Sequence, residues 1–295
     1  MVTKTQLRKM NKSELLDYIH SCGIDKSIDK DGNEVDLNDK MKLVDIKEHA
    51  FMWVLFGNNN TPLTEDTGLI WECALCDLSN IKYKGKFKYS MDEVNSITKM
   101  FHPSWKEKFS KLKIEHTAKN QSKHDFTMYY NDRKIYISAK SSKQRIAKVA
   151  PQENGQMTKK TFRAKYNIDS DNLIKNYIEN NVKKLLREFE INTFGSPVLY
   201  YNKCERQCFF IKLIKSIEWD QEKITFTHRE KAKEWNSSTT IKLGGKAIIE
   251  SQVHRTRNGV VNRWHLNNLL VMFKDNFKII NMNEEISDNM FDTLW

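Results

Sequence analysis

The chain has 295 residues, of which 39% are hydrophobic and 29% charged, with a formal net charge of +11 and an isoelectric point near 9.2. Its longest apolar runs, residues 50–57 and 269–273, are much shorter than the roughly 18 residues that a membrane-spanning helix needs. The five cysteines are scattered and odd in number, which argues against a disulfide scaffold.

The excess of positive charge favours a polyanionic partner. Basic residues are dense in residues 134–165 and 254–263, and both stretches also carry Gln and Asn, the side chains that read base edges. The first residues lead directly into an amphipathic segment without the apolar stretch of a signal peptide. We therefore expect a cytoplasmic protein that binds nucleic acid and no membrane.

The N-terminal part has the pattern of two helices. Apolar residues fall at helical spacing between Leu7 and Ile19, where Asn11 and Glu14 resemble a capping box. A polar stretch, residues 25–39, precedes a second helical pattern over residues 41–56. The sequence thus predicts an N-terminal helical subdomain, residues 1–57, followed by a larger domain, residues 58–295.

The middle of the chain changes from helical to β patterns. After the breaker at residues 58–62, helices are predicted over residues 64–78 and 90–101, the second opened by a capping box at Ser90 and Glu93. Residues 125–130 and 134–140 are β-rich runs joined by a short polar turn, which predicts a hairpin.

The C-terminal half alternates between the two patterns. A long amphipathic helix is predicted over residues 171–189, and a shorter helix over residues 265–273. Strands are predicted over residues 197–201, 208–214, 224–227, 239–243 and 247–253. This order favours an α/β or α+β fold with a mixed central sheet flanked by helices.

The predicted hairpin carries the most informative chemistry. Asp125 opens its first strand and Lys140 closes its second, so both side chains can reach the same end of a sheet. Carboxylate oxygens are the ligands that Mg²⁺ prefers, and a bound Mg²⁺ assists phosphodiester hydrolysis by stabilising charge on the phosphate. A nearby ammonium group can position the attacking water.

These residues resemble the PD-(D/E)XK nuclease superfamily, in which an aspartate and a hairpin are followed by an acidic residue, any residue and a lysine. Asp125 matches the first position, Lys140 the last, and Glu72 in the helix over residues 64–78 matches the helical glutamate. The resemblance implies a restriction-endonuclease-like core and a metal held by Asp125, Glu72 and the main-chain carbonyl of Ala139. Ser138 replaces the acidic residue and would at most hold a metal-bound water.

Two further segments are similar to those of Type II restriction endonucleases. In residues 148–163, polar side chains would face bases and basic ones would meet phosphates; in residues 249–258, strand alternation would place polar side chains on one face. Ordinary surface loops and polar sheet faces have the same patterns. The candidate DNA contacts are Lys143, Arg145, Gln152, Asn154, Gln156, Lys159, Lys160, Arg163, Gln252, His254, Arg255 and Arg257.

The resemblance therefore implies a site-specific double-stranded DNA endonuclease that uses Mg²⁺, leaves a 5′-phosphate and acts as a homodimer on a palindromic site. One alternative is a non-catalytic DNA-binding protein, in which Asp125 and Lys140 form a plain ion pair. Another is a nuclease that acts on RNA or branched DNA.

Other chemistries are weaker interpretations of the sequence. A zinc site would need Cys73 and Cys76 to meet Cys204 and Cys208, but the first pair lies in an apolar helical run. Neither His254 nor His265 belongs to a metal-ligand spacing. The Gly244–Lys246 segment lacks the spacing of a phosphate-binding loop and is interpreted as a tight hairpin turn.

Overall fold

The computed structural model of the protein describes residues 10–21, 26–28, 34–36, 43, 46, 64–85, 87, 89, 91–118, 124–143, 147–255 and 258–295. The chain divides into two compact units, residues 1–63 and 64–295. Among the described residues, no helix is long and apolar enough to cross a membrane.

The first unit contains a helix and a short strand pair. Helix α1, Lys12–Ser21, begins with the predicted capping box: Glu14 N–H donates to Asn11 Oδ1 at 3.0 Å, and Asn11 N–H to Glu14 Oε2 at 2.8 Å. Strands β1, Lys26–Ile28, and β2, Glu34–Asp36, pair antiparallel inside the polar stretch of residues 25–39, for which the sequence predicted no strands. Of the predicted helix over residues 41–56, the described residues are Leu43 and Ile46, both helical.

The second unit contains nine α-helices within its described residues. Their bounds are α2 Thr64–Leu78, α3 Met91–Thr98, α4 Pro103–Lys111, α5 Lys159–Tyr166, α6 Ile174–Asn180, α7 Val182–Phe194, α8 Thr227–Glu230, α9 Leu266–Met272 and α10 Asp288–Asp292. The predicted helix over residues 171–189 is interrupted: a 3₁₀ turn over Asp171–Leu173 leads into α6, and Asn181 separates α6 from α7. The Ser90 of the second predicted capping box lies outside the described residues.

The strands of this unit form two sheets. Their bounds are β3 Lys113–His116, β4 Phe126–Tyr130, β5 Arg133–Ser142, β6 Lys148–Val149, β7 Gln156–Met157, β8 Val198–Asn202, β9 Gln207–Leu213, β10 Ile224–Phe226, β11 Ser238–Leu243, β12 Lys246–Val253, β13 Val260–His265 and β14 Phe277–Asn281. The mixed sheet has the order β14-β9-β8-β5-β4-β3, in which β5 and β8 are parallel and every other pair is antiparallel.

The second sheet is antiparallel throughout. Its order is β10-β11-β12-β13-β6, and β7 also pairs with β13. The sequence predicted β10, β11 and β12 but missed β13, and it predicted one central sheet rather than two. The turn between β11 and β12 has Gly244 at φ +53° and Gly245 at φ +80°, which confirms the tight hairpin turn.

Helices cover both faces of the mixed sheet. On one face, Leu199 and Tyr201 join a hydrophobic cluster with residues of α2, α3 and α4. On the other face, Val198 and Tyr200 join a second cluster, which includes α5, α6 and α7 and one face of the second sheet. The prediction of a mixed α and β fold with a central mixed sheet flanked by helices is therefore confirmed.

Candidate active site

The predicted hairpin of β4 and β5 positions Asp125. Its two-residue turn has Asn131 at φ +47° and Asp132 at φ +59°, a conformation that Asn and Asp accept and that matches the twist of paired strands. Asp125 N–H donates to Ile137 O at 3.1 Å, and Ala139 N–H donates to Asp125 Oδ2 at 2.6 Å. Asp125 thus continues the strand pairing one residue before β4 begins, beside residues 137–139 of β5.

Lys140 is the residue after Ala139 on β5, and its side chain contacts the loop between β6 and β7 of the second sheet. Its Nζ donates to Oε1 of Gln152, and the backbone N–H of Gln152 donates to Asn192 O on α7 at 3.3 Å. Of the ion pairs between described residues, none includes Asp125 or Lys140. The two residues therefore do not form the plain ion pair of the DNA-binding alternative.

Burial dominates the electrostatics of both groups. It raises the pKa of Asp125 to about 6, since the opposing effect of Lys140 is partly cancelled by the negative charge of Glu72. Burial also lowers the pKa of Lys140, against the favourable charges of Asp125 and Glu72. The structure thus brings Asp125, Lys140 and Glu72 into one interacting group of charges, as a general acid–base or metal site requires.

Helix α2 supplies Glu72, whose carboxylate has a histidine neighbour. His116 Nε2 lies 3.3 Å from Glu72 Oε2, and His116 Nδ1 accepts a hydrogen bond from the backbone N–H of Lys84 at 3.0 Å. His116 was not predicted from the sequence because β3 was not predicted. Ile114 and His116 are the buried positions of β3, and they follow the two-residue alternation of a strand.

The oxygen atoms of this group suit a hard divalent cation. Asp125 and Glu72 provide two carboxylates, and Ala139 adds a main-chain carbonyl: a residue's N–H and C=O point to the same side of a strand, and Ala139 N–H faces Asp125. Within the described residues, no three His, Cys, Asp or Glu side chains converge on one point. Ser138 is buried, and its Oγ lies 3.5 Å from Ser196 Oγ.

The first predicted DNA-contact segment is only partly at the surface. Gln156 and Lys160 are exposed, whereas Lys143 is half-buried and Gln152 contacts Lys140 instead. Lys159 and Arg163 are paired with Asp171, Arg163 Nε at 2.8 Å from its Oδ1. Arg145 lies outside the described residues.

The prediction that Asn154 faces a base is wrong. Its side chain has no exposed surface, donates to Glu188 Oε2 at 3.3 Å and accepts from Lys165 Nζ at 2.6 Å. Its backbone carbonyl also accepts from the Asn262 side chain at 3.2 Å. Asn154 ties the loop before β7 to α7 and β13, because a buried amide is stable only when its hydrogen bonds are satisfied.

The second predicted segment lies on β12 and the turn that follows it. Gln252 and His254 are half-buried, and Arg255 is exposed with Nη1 3.1 Å from Asn236 Oδ1. On the same face as Gln252, Glu250 pairs with Lys148 and Arg263, a charge cluster that the sequence analysis did not identify. Arg257 lies outside the described residues.

The cysteines considered for zinc have different surroundings. Cys73, Cys76 and Cys208 are buried in the cluster that packs on α2, and Cys204 is exposed. Burial raises the pKa of Cys76 to about 12, so the thiol form of this residue dominates in the protein.

Comparison with known proteins supplies independent information on function. The Type II restriction enzyme CviAII of Paramecium bursaria Chlorella virus 1 is 34% identical over 231 residues, which is 75% of this chain and 64% of that enzyme. The chain is similar to a Type II restriction enzyme. It spans slightly less than two thirds of that relative's length. No family model and no solved structure matches the chain.

Because the match covers less than two thirds of that enzyme, a site-specific DNA endonuclease activity, with the hydrolase and restriction-system interpretation of the sequence, is a proposal for this chain. The narrower assignment to the PD-(D/E)XK superfamily stays a prediction, as do the roles of the individual site residues.

Proposed function

We propose that this chain is a site-specific double-stranded DNA endonuclease of a Type II restriction system, with a PD-(D/E)XK-type centre and a restriction-endonuclease-like core. The similarity to a Type II restriction enzyme carries the activity. The proposed position of the centre rests on the hydrogen bond from Ala139 N–H to Asp125, which holds the aspartate beside the strand that bears Lys140.

Asp125, Glu72 and the carbonyl of Ala139 would hold Mg²⁺ in this centre. The bound ion would stabilise negative charge on the phosphate and lower the pKa of a water ligand. A buried Asp125 whose pKa is raised to about 6 favours this role, because two neighbouring carboxylates of like charge are stabilised by a divalent cation. With Ser138 in the third position, the centre has one carboxylate fewer than the family pattern.

Lys140 would position the attacking water or offset charge on the scissile phosphate. Burial lowers its pKa, so its amine exchanges a proton more readily than an exposed lysine does. The carbonyl oxygen of Gln152 accepts from Nζ and restricts where the amine can point. Hydrolysis would break the P–O3′ bond and leave a 5′-phosphate.

The DNA would contact the polar side chains near this centre that remain accessible. We propose phosphate contacts for Lys143, Arg145, Lys159, Lys160, Arg163, Arg255 and Arg257. Gln156, Gln252 and His254 are candidates for base contacts, whereas Gln152 is assigned to Lys140. A homodimer would match a palindromic site.

The decisive experiment is cleavage of unmethylated phage and plasmid DNA by the full chain, with Mg²⁺ and with EDTA. Asp125→Asn removes the charge of the buried carboxylate, and Asp132→Asn, at an exposed turn position that tolerates Asn, is the matched control. We expect discrete bands that require Mg²⁺, that vanish in Asp125→Asn and that persist in Asp132→Asn.

Salt-sensitive binding without cleavage of any DNA would contradict the enzyme and favour the DNA-binding protein. RNA and branched DNA incubated in parallel separate the remaining alternative, because preferential cleavage of either would contradict the duplex specificity. Loss of activity in both variants would contradict the specific role of Asp125.

A further inference from the structure

His116 is a buried polar side chain in contact with Glu72 of the proposed centre, and the mechanism has not used it. Only 1% of its side chain is exposed, at the end of β3. Its ring stacks on Tyr83 with centroids 4.7 Å apart and an interplanar angle of 26°, and it packs against Phe126 at 5.1 Å. These contacts fix the plane of the ring.

The hydrogen bonds also determine which ring nitrogen carries the proton. Lys84 N–H donates to Nδ1, so Nδ1 is the acceptor and has no proton. The proton therefore lies on Nε2, and Nε2–H points at Glu72 Oε2, 3.3 Å away. Backbone and aromatic contacts together make His116 a rigid, oriented donor to one carboxylate oxygen.

Glu72 needs such a donor. Its carboxylate is on a flexible side chain, and the like charge of Asp125 repels it. Among the described residues, the hydrogen bond with His116 is the one side-chain hydrogen bond of Glu72, and Lys140 attracts its charge without a hydrogen bond. Because 16% of the Glu72 side chain is exposed, its carboxylate also has access to solvent, and the hydrogen bond with His116 restricts its orientation.

We propose that His116 is a positioning residue, which holds the Glu72 carboxylate at the Asp125 and Lys140 centre by donating Nε2–H. This inference rests on the proposed function. Partners that orient a metal-binding carboxylate contribute 10- to 100-fold to metal affinity or activity in other enzymes, and we expect a loss of about that size here.

The test replaces His116 by Gln or by Asn, since the side-chain amides of these two residues lie near different ring nitrogens of the histidine. His116→Gln can place an N–H near the position of Nε2, whereas His116→Asn can replace only Nδ1. We expect His116→Asn to lower kcat about 10- to 100-fold with little change in KM for DNA, and to raise the Mg²⁺ concentration for half-maximal rate. His116→Gln should recover most of the lost rate.

A double-mutant cycle separates positioning from folding. If His116 acts through Glu72, His116→Asn should cause little further loss of kcat in a Glu72→Ala background. Equal losses in both backgrounds, or no rescue by His116→Gln, would contradict the inference. Thermal unfolding of every variant identifies those that lose activity by unfolding.

Two measurements do not depend on activity. Calorimetric titration of the DNA-free protein with Mn²⁺ should show weaker binding for His116→Asn than for wild type or His116→Gln. In the metal-free wild type, ¹⁵N NMR should show the proton of His116 on Nε2; a proton on Nδ1 would overturn the inference without any variant.

The outcomes distinguish the two proposals. If Asp125→Asn cleaves DNA normally, the proposed centre is wrong and the role of His116 falls with it. If Asp125→Asn is inactive while His116→Asn retains wild-type kcat and Mn²⁺ affinity, the centre stands and the inference about His116 alone is wrong.

Discussion

Two largely buried acidic side chains, Asp125 beside the mixed sheet and Glu250 on the second sheet, have opposite electrostatic surroundings. Glu250 Oε2 lies 3.1 Å from Lys148 Nζ and 3.5 Å from Arg263 Nη1. Burial acts to raise the pKa of Glu250, but Lys148, Gln252 and Arg263 outweigh it, and the pKa is lowered. Glu250 is thus stabilised in its charged form.

Asp125 has a backbone N–H as its hydrogen-bond donor and a lysine that compensates it only in part. Burial and Glu72 therefore raise its pKa to about 6. The difference shows that burial alone does not identify a functional acid. The informative feature is a buried charge that the protein leaves incompletely compensated, because a ligand can then supply what is missing.

The largest effect is expected at Lys140. Lys140→Met should lower the cleavage rate by roughly 10²–10⁴-fold, the range for removal of a group that transfers or positions a proton. Lys134→Met, on the exposed part of the same strand, is the matched control and should leave the rate unchanged. Single-turnover cleavage rates measure both, and equal rates in the two variants would contradict the role of Lys140.

The second effect concerns Asp125 and the pH dependence of the free energy of unfolding. Because folding raises the pKa of Asp125 from its ordinary value of 3.8 to about 6, this residue's contribution to stability is fully present below about pH 4 and is lost as the pH rises through 6. A shift of this size corresponds to about 3 kcal/mol.

Asp125→Asn should therefore make the metal-free protein more stable at pH 7, by about 3 kcal/mol, because the folded state no longer holds a buried ionised carboxylate that Lys140 compensates only in part. The gain should disappear below about pH 4. Urea unfolding at several pH values measures this difference, and a variant that is less stable than wild type at pH 7 would contradict the electrostatic argument.

A smaller effect is expected at Gln152. Gln152→Leu removes the acceptor that restrains Lys140 Nζ and should lower the cleavage rate about tenfold, since misorientation of a catalytic group is costly. Gln221→Leu, at an exposed position in a 3₁₀ turn, is the control. If Gln152 instead contacts a base, its substitution would change site preference rather than the rate at the preferred site.

The smallest effect is expected at Glu250 and has the opposite sign to that of Asp125. The lowered pKa means that its contribution to stability is present above its ordinary value of 4.5 and is lost as the pH falls through the folded value. Glu250→Gln should destabilise the protein by about 1 kcal/mol at pH 7 and by less in acid. The same urea series measures it, and a gain in stability at pH 7 would remove the contrast with Asp125.

Elements with a strong local signal were predictable from the sequence. The hairpin of β4 and β5 was predicted because period-2 runs flank turn residues that accept positive φ. Helix α2 was predicted with its observed bounds, 64–78. Strands β3 and β13 were missed for different reasons. Strand β3 has four residues and is separated from the end of α4 by a single residue, and β13 follows the basic segment that was assigned to DNA contacts.

By itself, the sequence determined the class of fold and predicted Asp125 and Lys140 as candidate site residues, because local periodicity and turn chemistry place an aspartate and a lysine on adjacent strands. Glu72 was predicted from the resemblance to the PD-(D/E)XK superfamily. Only the tertiary structure decided that His116 contacts Glu72, that Gln152 contacts Lys140 and that Asn154 is buried. Each of these contacts joins residues from different elements, and the hydrogen bonds and burial that define them exist only once those elements have packed together.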